Sequence, residues 1–381
     1  MTARRPTASW EQARRFAHAA GVPVGAESVD LVDALGRVLA GAVTALVDLP
    51  GVDTMAMDGW AVCGAGPWAV VGASPAGAPA VTLNEGQAVE VATGSQSPAG
   101  ATGVVRAEDG QQRSGQLSGR SRSTDVRPRG EQCSAGQLVL PAGTVLRPPA
   151  LGLAAAVGAD RLDVLRRPRV AGVILGDEVI NSGLPAAGQV RDAIGPQLAG
   201  WVQLLGGEII GRCAVPDDLD STKAALAGWD HQVEIVIVTG GTSVGRGDHL
   251  RPALVAHGAT ALVDGVDVRP GHPMLLYRLP SGTLVVGLPG NPLAAVVALA
   301  TLLWPLLDGF LGRDLPALTE RSGQLAMPSA GIALVPCTVA DGQLIPVDHA
   351  GSAMLRGVAG AAGLAVTDAG GGVRWLAFPW S

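Results

Sequence analysis

The chain has 381 residues, enough for two to four domains that each bury a core of their own. A formal net charge of −6 with no basic block argues against a nucleic-acid binder, and 48% hydrophobic residues mark a globular chain. Glycine (54) and proline (27) stay below the ~25–30% of low-complexity sequences, so they are read as turns.

Residues 7–44 carry helical periodicity. SWEQARRFAHAAG opens with Ser9 as a candidate N-cap and stops near Gly21; SVDLVDALGRVLA then predicts a second helix from Ser28. The N-terminal charges precede no apolar stretch, so no secretory leader is expected. From residue 45 to 145 the texture changes to short β-like runs such as WAVVGA, AVEVATG and TGVVRAED, and the polar GQQRSGQLSGRSRSTD (110–125) reads as a hairpin tip or loop. RPPALGLAAAVGADRL (147–162) returns to helix.

Residues 168–312 alternate strand and helix. The strands are RVAGVIL, GGEIIG, VEIVIVT, ATALVDGVDV and TLVVGL; the helices are DAIGPQLAGWVQLLG, DLDSTKAALAGW, DHLRPALVAHG and NPLAAVVALATLLWPLL. This pattern predicts parallel strands with helices on both faces. From about residue 314 short strands resume (GIALVPCTVA, GQLIPV, VRWLAF) and suggest a small terminal β-domain. The longest apolar run, 293–307, is shorter than the ~20 residues of a membrane span and contains Pro305, so no membrane segment is expected. Four distant cysteines without a CxxC pair fit a reducing cytosol, and a cytoplasmic location is expected.

In open α/β sheets ligands sit beyond the carboxyl ends of the strands. One such end is Pro289-Gly290-Asn291-Pro292, where Asn291 suits the N-cap and Pro292 the first helical position. A helix starting there would aim unpaired amides and its positive dipole end at an anion; a plain βα turn is the alternative. A second is VTGGTSVGRGDH (238–249), where Gly240, Gly241, Thr242, Ser243 and Gly245 offer backbone N–H and hydroxyl donors of the kind an oxyanion requires. It has neither the Walker lysine nor a GxGxxG turn. Asp248 closes it, as a helix cap or as a metal-facing carboxylate.

The third end is Gly176-Asp177-Glu178, paired carboxylates suited to Mg²⁺, to a pterin or purine edge, or to a helix dipole. QVRDAIG supplies Asp192; VPDDLD supplies Asp217 and Asp218, which on local sequence alone are helix caps. Arg269 and His272 stand on the DVRPGHP turn, either facing a phosphate or lying on the surface. Asp58-Gly59 between β-like runs reads most simply as a hairpin turn.

Taken in order, AMDGWAV, VATGSQSPAGATGVVRAED, RPRGEQ, RRPRVAGVILGDEVI, GQVRDAIG, VPDD, VTGGTSVGRGDH, VRPGHP, GLPGNP and GSAMLRGVAGAAGL resemble the MoeA-type molybdopterin molybdenumtransferases, relatives of the gephyrin E domain. The resemblance implies a multidomain α/β protein: a helical domain (1–44 with 146–167), an inserted β-domain (45–145), a central MogA-like doubly wound α/β domain (168–313) that binds the pterin, and a C-terminal, small β-barrel-like domain (314–381). It implies an elongated homodimer whose cleft lies between the α/β domain of one subunit and the inserted β-domain of the other. The implied reaction takes adenylylated molybdopterin and molybdate to molybdenum cofactor and AMP with a divalent cation, Mg²⁺. A molybdopterin adenylyltransferase and molybdoenzyme maturation proteins are the implied partners, with no nucleic acid and no membrane.

Matched position by position, Asp58, Thr93, Glu178 and Asp248 take the family's catalytic places. Asp217, Asp218 and Asp248 take the metal places, and Pro289, Pro292 and Ser352 match substrate-binding ones, together with the Gly-rich loop, Gly290, Asn291, Arg269 and His272. The chain departs from its relatives at Leu175, where they have Thr, and at Asp192-Ala193-Ile194, where they have Asp-Ser-Asn. Arg269 and His272 replace lysines, and Gly351-Ser352-Ala353 replaces Gly-Ser-Gly. Each hydrogen bond lost to a charged ligand costs ~1.5–3 kcal/mol. The departures therefore set a second expectation beside the first: a catalytically weak relative acting as a pterin-binding or scaffold protein.

Overall fold

The β-branched runs of the α/β segment are buried on both faces. In the computed structural model, which describes residues 7–242, 248–326, 328 and 331–381, they form a six-stranded sheet. Its order is Glu208–Val215, Arg169–Leu175, Ile235–Thr239, Leu284–Leu288, Leu275–Arg278 and Thr260–Asp264. The first four strands are parallel, Leu275–Arg278 runs against them, and the edge strand Thr260–Asp264 pairs antiparallel with it. Val170, Ile174, Ile235, Ile237 and Val286 face one hydrophobic core; Ala171, Val173, Val236, Val238 and Val285 face another. The period-two alternation of a strand thus serves two cores at once, as a doubly wound sheet requires.

One strand expected from sequence is two. ATALVDGVDV breaks at Gly265 (φ +89°) into the antiparallel edge strand Thr260–Asp264 and Val266–Arg269, which joins a different sheet. The cause is a hairpin the sequence reading missed: Leu275–Arg278 folds back on Leu284–Leu288 through a turn closed by Leu279 N–H donating to Thr283 O at 2.8 Å. That hairpin occupies the place a further parallel strand would take.

The apolar stretch after residue 291 is longer than expected, running as helix from Pro292 to Phe310. By length and composition it passes for a membrane span, but 94% of its apolar window is buried inside the molecule as a core helix. Pro305 does not end it. Proline lacks the N–H and its ring strikes the carbonyl four residues back; the wider π-helical turn Leu299–Leu303 lies immediately before Trp304–Phe310 and gives that room.

By backbone contacts the chain forms two compact units, one of Met1–Ala26 with Leu165–Ser381 and one of Glu27–Val164. In the first, helix Trp10–Ala20 opens with a capping box between Ser9 and Gln12. It packs on Trp304–Phe310, with Trp10 Nε1 donating to Thr301 Oγ1 at 2.9 Å. A Cβ at Gly309 would stand 2.1 Å from His18 O, and one at Gly21 2.3 Å from Leu306 O, so glycine permits the crossing. The C-terminal strands Ile332–Ala340, Gly363–Asp368 and Val373–Ala377 form an open sheet that also takes in Ala8–Ser9 and Val266–Arg269, rather than a barrel closed on itself.

The second unit holds a seven-stranded sheet around Gly59–Val62, Gln87–Val91 and Gly103–Arg106. The polar 110–125 segment contributes a true hairpin to it, turning at Ser114 (φ 49°) and Gly115 (φ 80°). The helix expected from Ser28 is absent. Ala26–Asp30 is a strand paired with Arg161–Leu165, and only Leu31–Asp33 makes a helical turn. A partner strand far along the chain overrides the local pattern: Arg161 pairs with Asp30 and donates to Ser28 O at 2.8 Å. Residues 27–44 and 146–164 do share one core, through Leu39, Val43, Leu146, Ala154 and Val164, but Pro148–Ala156 is the only α-helix in it.

Candidate functional site

Three neighbouring parallel strands end at Leu175, Thr239 and Leu288, and their loops meet in one cleft of 740 Å³. At the first end Gly176 adopts φ +128°, and a Cβ there would stand 2.9 Å from Glu178 Oε2. The glycine lets the Glu178 carboxylate fold back over the turn. At the second, Gly240 and Gly241 turn left-handed (φ +82° and +62°), while Gly240 N–H donates to Leu288 O at 3.0 Å and so ties this loop to the third strand end. The cleft brings together Glu178, Gly240, Gly241, Thr242, Asp248 and the Pro289-Gly290-Asn291-Pro292 turn. Ser243 and Gly245 lie outside the described residues.

The helix at Pro292 starts where the sequence placed it, but its first turn is not open to an anion. The amides of Leu293 and Ala294 donate to Ser352 O at 3.0 and 3.3 Å. Ser352 thus joins the site through its backbone, and the adjacent Ala353 lines the cleft. The expectation of unpaired amides facing the crevice is corrected for these two groups.

The departures from the family pattern are filled with hydrocarbon. Leu175 is 4% exposed and Ile194 6%; Leu175 Cδ1 would stand 3.1 Å from a Cβ at Gly241, so it forms the floor beneath the glycine turn. Asp192 Oδ1 accepts from the amides of Ile194 at 3.0 Å and Gly195 at 2.8 Å, capping the helix Gly195–Leu204 from the cleft wall. Beside it the short parallel pair Val179–Ile180 and Val190–Arg191 builds a wall the sequence reading did not foresee, because two-residue strands leave no periodicity to read.

Behind Glu178 the carboxylates gather. Asp177 Oδ1 accepts from Asp217 N–H at 3.1 Å, while the buried Asp217 Oδ1 has no hydrogen-bond partner among the described residues. Burial pushes the Asp217 carboxyl above the usual range; His249 offsets this, and Asp177, Glu178 and Asp248 add to it. Asp218 acts as the helix cap that its local sequence indicates, with Oδ1 accepting from Ser221 N–H at 2.8 Å, and its carboxyl is held low by the Ser221 hydroxyl and then by that amide. Among the described residues no three His, Cys, Asp or Glu side chains stand close enough to hold a metal ion by themselves.

Arg269 and His272 are exposed and do not line the cleft; Pro273, next to them, does. His272 Nδ1 is bonded to Val266 O at 2.7 Å. Asp58 and Thr93 belong to the second unit, where they meet each other: Thr93 donates to Asp58 Oδ1 from its amide at 2.7 Å and its hydroxyl at 2.9 Å. These bonds hold the exposed Asp58 carboxyl below the usual range. Asp58-Gly59 is not the hairpin turn expected, since the strand before it, Thr54–Met55, pairs with Val126–Arg127 instead. Gly59 is required by crowding: a Cβ there would stand 2.1 Å from Val105 O.

Two family models match this chain, "MoeA N-terminal region (domain I and II)" over residues 8–158 and "Probable molybdopterin binding domain" over 171–309, the segment that carries the cleft. Molybdopterin molybdenumtransferase 2 of Mycobacterium tuberculosis is 33% identical over 318 residues, 78% of each chain. The chain belongs to the molybdopterin molybdenumtransferase family. Another member, from Synechococcus elongatus, is 34% identical over 311 residues, 77% of each chain. The family's fold is shared as well: a crystal structure of molybdopterin biosynthesis MoeA protein from Pyrococcus horikoshii superposes with a TM-score of 0.82 over 98% of both chains at 22% identity.

Proposed function

We propose that this chain inserts molybdate into adenylylated molybdopterin, forming molybdenum cofactor and releasing AMP. Family membership supports the reaction. The observation that carries it to particular residues is the single cleft in which Glu178 and Asp248 face the Gly240-Gly241-Thr242 and Pro289–Pro292 turns. Both reactants are anionic. Backbone amides and the Thr242 hydroxyl suit their oxygens, the apolar floor at Leu175 and Ile194 suits the flat face of a pterin, and acidic groups suit a cation.

The residues present fit a divalent metal. Asp217 offers a buried carboxylate oxygen without a partner among the described residues, beside Glu178 and Asp248. Asp217 and Asp248 would hold Mg²⁺ there, with waters completing the shell. Bound there, it screens the charge between the two anionic reactants. Glu178 accepts hydrogen bonds from the substrate on the cleft side, and the donor turns orient its oxygens. We propose further that the chain acts in the cytoplasm as a homodimer, with Asp58 and Thr93 of a second copy completing each cleft, downstream of a molybdopterin adenylyltransferase.

The test is AMP release from adenylylated molybdopterin on adding molybdate and Mg²⁺. Wild-type protein is expected to turn over and Asp58→Ala to lose most of the rate. Pterin bound without AMP release, unaffected by Asp58→Ala, would instead identify a binding or scaffold protein on this fold.

A further inference from the structure

The Gly240-Gly241-Thr242 turn is the donor edge of the cleft, and two left-handed glycines make it the least self-supporting part of the wall. One end is fixed by Gly240 N–H on Leu288 O. The other is fixed from outside the cleft. Arg251, on the short helix Leu250–Ala256, donates from Nη1 to the backbone carbonyl of Thr242 and from Nε to Asp264 Oδ1 at 2.8 Å. The other oxygen of Asp264 accepts the Tyr277 hydroxyl at 3.0 Å.

Asp264 ends the edge strand Thr260–Asp264 and Tyr277 lies on its partner Leu275–Arg278, so the guanidinium connects the turn to two strands of the central sheet. Arg251 and Asp264 are each about one-quarter exposed in their side chains (25% and 26%), and neither they nor Tyr277 line the cleft. A guanidinium can serve a carbonyl and a carboxylate together because its donors diverge in one rigid plane; an ammonium on a flexible stem cannot hold both in the same geometry.

We propose that Arg251 is a positioning residue for this reaction, holding Thr242 and the glycine turn in the ligand-competent shape through the Asp264–Tyr277 brace. The inference rests on the cleft being the substrate site. A turn released from the brace visits other conformations, and apparent affinity falls with the competent fraction. If that fraction drops to about a tenth, KM rises about tenfold while kcat, read at saturating substrate that has selected the competent turn, changes little.

Arg251→Met is therefore expected to raise KM for adenylylated molybdopterin about tenfold with kcat within about threefold of wild type, and Arg251→Lys to recover part of the loss. Tyr277→Phe, which leaves Arg251 and Asp264 in place, is expected to move KM the same way by less and guards against an Arg251→Met protein that does not fold. Tyr277 is the single tyrosine of the chain, so fluorotyrosine labelling gives one fluorine resonance. That resonance is expected to shift when adenylylated molybdopterin binds, and to lose the shift in Arg251→Met. Unchanged KM in Arg251→Met and Tyr277→Phe beside an active wild type overturns the proposal. So does a lowered melting temperature with no change in KM. A wild type that neither binds nor turns over adenylylated molybdopterin overturns the substrate reading itself, and this inference with it.

Discussion

The backbone carbonyl of Ser352 accepts from Leu293 N–H at 3.0 Å, so a loop near the C-terminus caps the helix that follows the Pro-Gly-Asn-Pro turn. Helix N-termini leave amides that need partners, and here the cap is a peptide group rather than the Asn291 side chain, which makes no capping bond. The carbonyl of this serine belongs to the fold, and its exposed side chain is the part left to contact a ligand.

Ser352→Ala separates them. The carbonyl cap survives the substitution, so thermal unfolding is expected to stay within about ±0.5 kcal/mol of wild type. A hydrogen bond to a charged ligand accounts for ~1.5–3 kcal/mol, so loss of the hydroxyl is expected to raise KM for molybdate about tenfold or more. Steady-state kinetics beside a melting curve decides it. A variant that melts much earlier would show that the side chain, not the backbone, holds this loop.

A second prediction concerns the crossing of the N-terminal helix with the core helix. Asp308 is 5% exposed, and burial raises its carboxyl pKa to about 6 from 3.8, against the pull of Arg313, His18 and Trp304. Arg14 packs nearby over the Trp10 ring, and burial brings its pKa down to about 10. The folded protein binds the Asp308 proton more tightly than the unfolded chain does. Its contribution to stability is therefore complete below about pH 4 and lost as pH rises through about 6. A shift of this size corresponds to something on the order of 3 kcal/mol across that window. Urea unfolding from pH 4 to 8 is expected to show that decline in wild type and a flatter curve in Asp308→Asn; parallel curves for the two proteins would reject it.

How much of this was readable beforehand differs by element. The three strand ends were legible because a β-branched run closed by Gly or Pro leaves few alternatives, and Gly176, Gly240 and Pro289 each directly follow a strand of the sheet. The lost helix at Ser28 and the split strand at Gly265 share one cause: each is decided by pairing with residues distant in sequence or by a hairpin, neither of which local periodicity encodes. Within the site, side-chain chemistry suggested donors and acids, but hydrogen-bond partners set their use. Asp177 proved to be a bond acceptor for Asp217, Asp218 a helix cap, and Ser352 a backbone cap. Arg251 carried no signal beyond being one arginine on a short helix, since its meaning depends on Asp264 and Tyr277 lying across the edge strands.

The last prediction turns on Asp217, whose buried oxygen lacks a partner among the described residues; burial, and after it three other carboxylates, raise its pKa. Without a cation this carboxylate opposes folding more strongly as pH rises, because the folded state prefers it protonated. A divalent ion reverses the sign: it favours the ionised form and binds only the assembled cluster, adding RT ln(1 + [L]/Kd), about 2.7 kcal/mol at a hundredfold excess over Kd. Millimolar Mg²⁺ is therefore expected to raise the melting temperature of wild type, more at pH 8 than at pH 5. In chelator, Asp217→Asn is expected to melt at or above wild type, because the neutral amide removes the buried charge and its repulsion, and to gain less from Mg²⁺. No Mg²⁺-dependent shift in wild type at either pH would take the metal away from this cluster, and an Asp217→Asn protein that melts below wild type in chelator would mean the carboxylate was already compensated.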